Sequence, residues 1–241
     1  MMGLRYLSWL WGASCPLCGT PLVFKKELLS GLCSACASLF LPYRGERCRF
    51  CGRPLISERE QCMECRNRGP RSYDKMYALY PYEGPYRKLL TTYKFEGHRS
   101  LSYFIAQQMT NSLFCFDHTP LSLSSRLYWV PVPPRPGKIR HTGWDQIAEI
   151  GRYLPRIGRK EGLSLSVVSC LRRRSGRIQK RLNRQEREQN MRGNFEVCGN
   201  VPEQLILFDD VVTTGATLEA CAATLRRAGA RHIIALTLLY D

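Results

Sequence analysis

Hydrophobic positions along this chain fall into two regimes that meet near residue 70. Before that point apolar residues stand singly among cysteines, glycines and basic residues, and neither a helical nor an alternating period is sustained. Beyond it the spacing becomes regular. Residues 76–82 read as a strand, 86–94 and 101–113 repeat at helical intervals, and 127–132 is a strand ended by Pro133-Pro134. A helix is predicted over 144–154 with Gly143 near its start, and a buried strand over 204–208. A helix over 217–228 is closed by Gly229, and a last strand covers 233–239. Strands alternating with helices predict an α/β fold with a mostly parallel sheet wrapped by helices. The change of regime divides the chain into a module at 1–70 and an α/β domain at 71–241.

Cysteine spacing accounts for the first regime. Eight of the twelve cysteines form four pairs two residues apart, Cys15/Cys18, Cys33/Cys36, Cys48/Cys51 and Cys62/Cys65. Two thiolates so spaced grip one ion from a tight turn, and two such turns complete a tetrahedral sulfur site, so four pairs predict two structural zinc ions. A disulfide framework would need an oxidising compartment, which the lack of a signal-peptide pattern argues against. The intervals favour sequential sites, Cys15/Cys18/Cys33/Cys36 and Cys48/Cys51/Cys62/Cys65, with cross-bracing of the same pairs left open. Cys115, Cys170, Cys198 and Cys221 are isolated and are expected to be buried small hydrophobes.

The second chemical signal lies at 205–217, Leu-Ile-Leu-Phe-Asp-Asp-Val-Val-Thr-Thr-Gly-Ala-Thr. An apolar strand runs into two carboxylates, Asp209 and Asp210, and then into a hydroxyl-rich turn that opens a helix. Open α/β sheets place ligands at the carboxyl ends of their strands, where adjacent acids can accept hydrogen bonds from a vicinal diol. Backbone amides at a helix N-terminus, together with threonine hydroxyls, suit a phosphate. The stretch resembles the phosphoribosyl pyrophosphate (PRPP) motif of type I phosphoribosyltransferases over its full thirteen residues. That resemblance implies that Asp209 and Asp210 meet the ribose hydroxyls at the reacting end of the site. It further implies that Val211, Thr213, Thr214, Gly215, Ala216 and Thr217 form the 5′-phosphate cradle, and that Mg²⁺ arrives with PRPP. Arg135, after the strand that ends in Pro131-Val132-Pro133-Pro134, stands where a second anion loop would meet pyrophosphate.

Net charge adds a polyanion partner to the picture. The formal charge is +16, and nine Lys/Arg against two Glu between Arg172 and Arg192 supply nearly half of it. That run has no sustained apolar face and reads as a loop leading into a helix, placed to cover pyrophosphate or to hold nucleic acid. The apolar segment at 4–11 is too short to span a bilayer and reads as a helix on the zinc module.

Taken in order, the cysteine knuckles, Tyr93-Lys94-Phe95-Glu96-Gly97, Val130-Pro131-Val132-Pro133, Gly143-Trp144-Asp145-Gln146, Asn190-Met191-Arg192-Gly193-Asn194-Phe195 and the PRPP motif are similar to the ComF/ComFC family. That family has Phe-Asn where this chain has Trp144-Asp145. The resemblance implies a double zinc ribbon joined to a type I phosphoribosyltransferase-like domain. It implies a role in natural competence on the cytoplasmic side, at the inner face of the membrane through partner proteins, with PRPP, single-stranded DNA and the competence machinery as partners. It leaves open whether phosphoribosyl transfer is catalysed or the pocket serves a non-catalytic DNA-binding factor.

Overall fold

The computed structural model describes residues 12–57, 60–66, 69–115, 121, 126–174 and 193–241. Its cysteine-rich part holds three short helices, α1 (Lys25–Ser30), α2 (Ser34–Ala37) and α3 (Met63–Arg66). Then come β1 (Lys75–Pro81), α4 (Gly84–Phe95), α5 (Leu101–Ser112), β2 (Leu127–Pro131), α6 (Lys138–Thr142), α7 (Gln146–Gly151) and α8 (Leu154–Lys160). The chain closes with β3 (Leu165–Val167), β4 (Leu171–Arg173), β5 (Phe195–Val197), β6 (Gln204–Val212), α9 (Ala216–Arg227) and β7 (His232–Tyr240).

Five strands pair in parallel in the order β1-β7-β6-β2-β3, while β4 and β5 form a separate antiparallel ladder. The central strands carry almost unbroken apolar runs because helices cover both faces. Ile206 and Phe208 of β6 pack on the side of α4, α5 and α7, and Leu205 and Leu207 on the side of α9. This is the α/β arrangement the periodicity predicts.

Three departures have local causes. The helix expected over 144–154 is two helices, because Pro155 lacks an N–H and fits the first turn of α8. Asp145 caps α7, its carboxylate accepting from the amides of Ile147 and Ala148 at 3.0 and 3.1 Å, so the aspartate has a structural use of its own. The strands β3, β4 and β5 have three residues each, too few to display a period, and β4 takes Arg172 and Arg173 out of the loop expected there. Residues 175–192 of the basic run and the expected helix at 4–11 lie outside the described residues. Cys170 and Cys221 are buried as expected, Cys115 is partly so, and Cys198 is exposed.

The zinc module packs directly on the α/β part. Leu17, Leu22, Leu32 and Phe40 share one apolar cluster with Tyr80, Tyr93, Leu101 and Phe104. Its second half lies along β1, the outer strand of the sheet. Met76 donates its amide to the Arg49 carbonyl at 2.8 Å, and Arg47 donates Nη1 to the Ala78 carbonyl at 2.5 Å. Gly52 makes this approach possible. It has φ +71°, and a Cβ there would stand 2.7 Å from the Ala78 nitrogen. Gly52→Ala is therefore expected to destabilise the protein by more than the roughly 1–2 kcal/mol of a left-handed non-glycine residue, because backbone cannot yield as a flexible side chain can. Thermal denaturation of the zinc-loaded variant checks this.

Candidate functional site

The four cysteine pairs come together as two separate clusters. Sγ atoms of Cys15, Cys18, Cys33 and Cys36 lie within 4.8 Å of one another, and so do those of Cys48, Cys51, Cys62 and Cys65. The sites are sequential, which settles the alternative that spacing left open. Tetrahedral zinc with Zn–S bonds of about 2.3 Å separates its sulfurs by about 3.8 Å. Cys18 and Cys33 stand 3.5 Å apart, and Cys51 and Cys62 3.7 Å apart, so the donors fit zinc. Four sulfurs and no open position make these structural centres.

The candidate ligand site sits at the carboxyl edge of the sheet, where β2 and β6 end side by side with Pro131 opposite Phe208. β6 runs on past the expected limit to include both aspartates. Neighbours along a strand point to opposite faces, so Asp210 continues the face of Phe208 and Asp209 the face of Leu207. The chain then bends through exposed Thr213 and Thr214 into α9. Gly215 caps that helix at φ +76°. A Cβ there would meet nothing closer than 3.8 Å, so its left-handed backbone, not crowding, calls for glycine. Thr214 Oγ1 accepts from the Ala216 amide at 3.3 Å, and the helix's own bonding begins with the Glu219 amide to the Gly215 carbonyl. The amides of the first turn thus precede the helix ladder at an open bend.

Charge around the acids is organised by residues from four elements. Lys94, at the end of α4, places Nζ 2.7 Å from Asp210 Oδ2, with the two side chains 15% and 7% exposed. Burial pushes the half-buried Asp209 carboxyl up to about 7; the Asp210 charge adds to the rise, while the Asp210 amide bond, Lys94 and Lys138 of α6 oppose it. Arg173 of β4 lies within electrostatic range of both Asp209 and Arg135, and its pKa is lowered first by burial and then by Arg135. Its guanidinium lies 5.1 Å over the Phe195 ring. Arg135 also lines a cleft of about 930 Å³ with Arg140, Arg172, Arg173, Arg174 and Glu196. Glu196 binds Arg172 at 2.6 Å and Arg174 at 2.9 Å.

The acids and the bend lie consecutively at the end of β6, and Arg173, part of the basic run that sequence reasoning set near pyrophosphate, is joined by Lys94 and Lys138, which that reasoning did not include. Lys94 left a trace as a cation inside the Tyr93-Lys94-Phe95-Glu96-Gly97 motif. Among the described residues no helix is long and apolar enough to cross a membrane.

A parallel sheet with two acids at a strand end and an exposed threonine bend is thus joined to a pair of four-sulfur centres. Residues 6–66 match the family model described as "Double zinc ribbon domain". The chain is 26% identical to "Competence protein ComFC" of Streptococcus pneumoniae, over 93% of this chain and 99% of that protein. It is 27% identical to "Competence protein F" of Haemophilus influenzae, over 85% of this chain and 88% of that one. With "DNA utilization protein YhgH" of Salmonella typhimurium it shares 27% identity over 91% and 93% of the two chains. The chain is similar to these competence and DNA-utilisation proteins along nearly all of its length. A solved hypoxanthine phosphoribosyltransferase from Staphylococcus aureus is a fainter match, 12% identical with a TM-score of 0.33, over 58% of this chain and 63% of that one, less than two thirds of its length.

Elemental analysis by plasma mass spectrometry is expected to find two zinc ions per chain. Cys33→Ser should lower the count to about one and Cys33→Ser/Cys48→Ser to none, since each substitution removes a ligand from a different centre.

Proposed function

We propose that the chain binds PRPP at the carboxyl edge of β6 and serves, as the names of its relatives suggest, in handling DNA during competence or DNA utilisation. The observation that carries this reading is the exposed threonine bend opening α9, set directly after two acids, of which Asp209 lies in electrostatic range of Arg173 in the arginine-lined cleft. Asp209 and Asp210 accept hydrogen bonds from the ribose 2′ and 3′ hydroxyls. Val211, Thr213, Thr214, Gly215, Ala216 and Thr217 bind the 5′-phosphate through amides and hydroxyls, and Arg135 with Arg173 meets the pyrophosphate.

Mg²⁺ bound with PRPP would supply charge compensation to the pyrophosphate, beside Arg135 and Arg173. Whatever reaction occurs, the contribution of the chain's own residues is positioning and charge compensation. The work would be done on the cytoplasmic side, with contacts to competence-machinery proteins, and the stretch before residue 70 would serve as the zinc module and 71–241 as the phosphoribosyltransferase-like domain.

A second reading has its own support. Arg135, Arg140, Arg172, Arg173 and Arg174 around one cleft suit a phosphodiester chain as well as pyrophosphate, which favours a single-stranded-DNA-binding factor with a phosphate docking pocket. Pyrophosphate release from PRPP with a defined acceptor separates the first reading from the second. A salt-sensitive gel shift of single-stranded DNA, lost on neutralising Arg172, Arg173 and Arg174, marks the second.

Isothermal titration with PRPP and Mg²⁺ is expected to show saturable binding that Asp209→Asn/Asp210→Asn weakens by at least about a hundredfold, as two charge-assisted hydrogen-bond acceptors of about 1.5–3 kcal/mol each are lost. Native affinity in that double variant would remove the reading. The ionised Asp209 carboxylate is the stronger acceptor and its pKa is raised to about 7, so affinity should rise as pH climbs through that value. An affinity flat across neutral pH in the same titration would contradict that role for Asp209.

A further inference from the structure

We propose that Lys94 is the built-in counter-cation of the sugar-phosphate site, a positioning residue that holds the Asp210 carboxylate aimed for ribose hydroxyls before any ligand arrives. The inference rests on the PRPP reading of the same edge and goes beyond it by naming a residue on a different element and its task.

Lys94 has little freedom to be elsewhere. Its neighbour Tyr93 is fully buried, sends its hydroxyl to the Gln146 carbonyl at 2.7 Å and packs edge-on to Trp144 at 4.9 Å. One turn and a half earlier, Lys88 donates to the Leu17 carbonyl of the zinc module at 2.7 Å. The helix is thereby tied at two points, and its last turn delivers an ammonium to one carboxylate oxygen. The contact is also unlike an ordinary surface pair. Arg226 and Asp74, for comparison, are 30% and 27% exposed, against 15% and 7% here. An enclosed ion pair is an inefficient way to stabilise a fold, because desolvation offsets most of the attraction. Its position at the mouth of a strand-end site, next to exposed Thr213 and Thr214, gives it a use that stability does not.

The charges facing the acids come from every side. Lys94 reaches them from α4, Lys138 from α6 and Arg173 from β4, and the titratable neighbours Tyr93 and Cys221 are both raised, hence neutral near pH 7. Three cations against two carboxylates leave the edge positive even with both acids ionised, so a phosphate group enters an attractive field while the diol still finds acceptors. Without Lys94 one of the charges that oppose the rise at Asp209 is lost.

The test combines carboxyl-carbon NMR of labelled aspartates in the zinc-loaded full chain with titration of PRPP and Mg²⁺. Lys94→Met should move ionisation of the pair to higher pH and weaken PRPP binding about tenfold at pH 7, the loss shrinking toward pH 9. Lys94→Arg should keep affinity within about threefold, since the charge is retained. An unchanged carboxylate titration in Lys94→Met overturns the proposal. So does a loss of binding that is equal at every pH and not rescued by arginine. Methionine strands a buried carboxylate, so Lys94→Met/Asp210→Asn is the second variant: it should fold with native zinc content and bind PRPP poorly at any pH, and native affinity in it also overturns the proposal. If the native protein bound no PRPP while Lys94→Met still shifted the carboxylates, the sugar-phosphate reading would fall and the lysine's hold on the pair would stand.

Discussion

The buried carboxylate of Asp210 at the end of β6 meets a cation from a distant helix, and much of this molecule's architecture serves that placement. Asp210 prolongs the face of β6 that carries Ile206 and Phe208 into the core. In those surroundings Lys94 stands beside it at 2.7 Å as its ion-pair partner. The lysine depends on α4, α4 depends on Tyr93 and on the zinc module's Leu17 carbonyl, and so the ion pair at one edge is supported by residues far along the chain in both directions.

What could be read from sequence was what the chain writes locally. The strand, the two acids, the bend and α9 occupy consecutive positions, and each step has its own chemistry, so they were legible together. The cysteine pairs were legible for the same reason. Long-range partners were not: Lys94 precedes Asp210 by 116 residues and Arg173 precedes Asp209 by 36, and no periodicity connects them. Three-residue strands escaped because alternation needs more positions to show. The break between α7 and α8 was marked by Pro155 all along, yet the apolar spacing on either side of it masked the interruption.

Composition changes at residue 70, but packing does not respect that line. Phe40 meets Tyr80, Tyr86 and Phe104 edge-on at 5.2–5.7 Å, so part of the ribbon behaves as a layer of the α/β core. Metal ligation in the first segment therefore fixes more than its own loops. It positions the apolar surface on which α4 and α5 rest.

One consequence follows from how the second ribbon lies along β1. That strand is the sheet's flank, and its outward-facing Met76 amide and Ala78 carbonyl are occupied by Arg49 and Arg47. An uncovered flank is a template onto which another chain can add a strand. Metal loss or thiol oxidation at Cys48, Cys51, Cys62 or Cys65 thus threatens not merely local order but solubility, by baring a strand edge that can seed self-association.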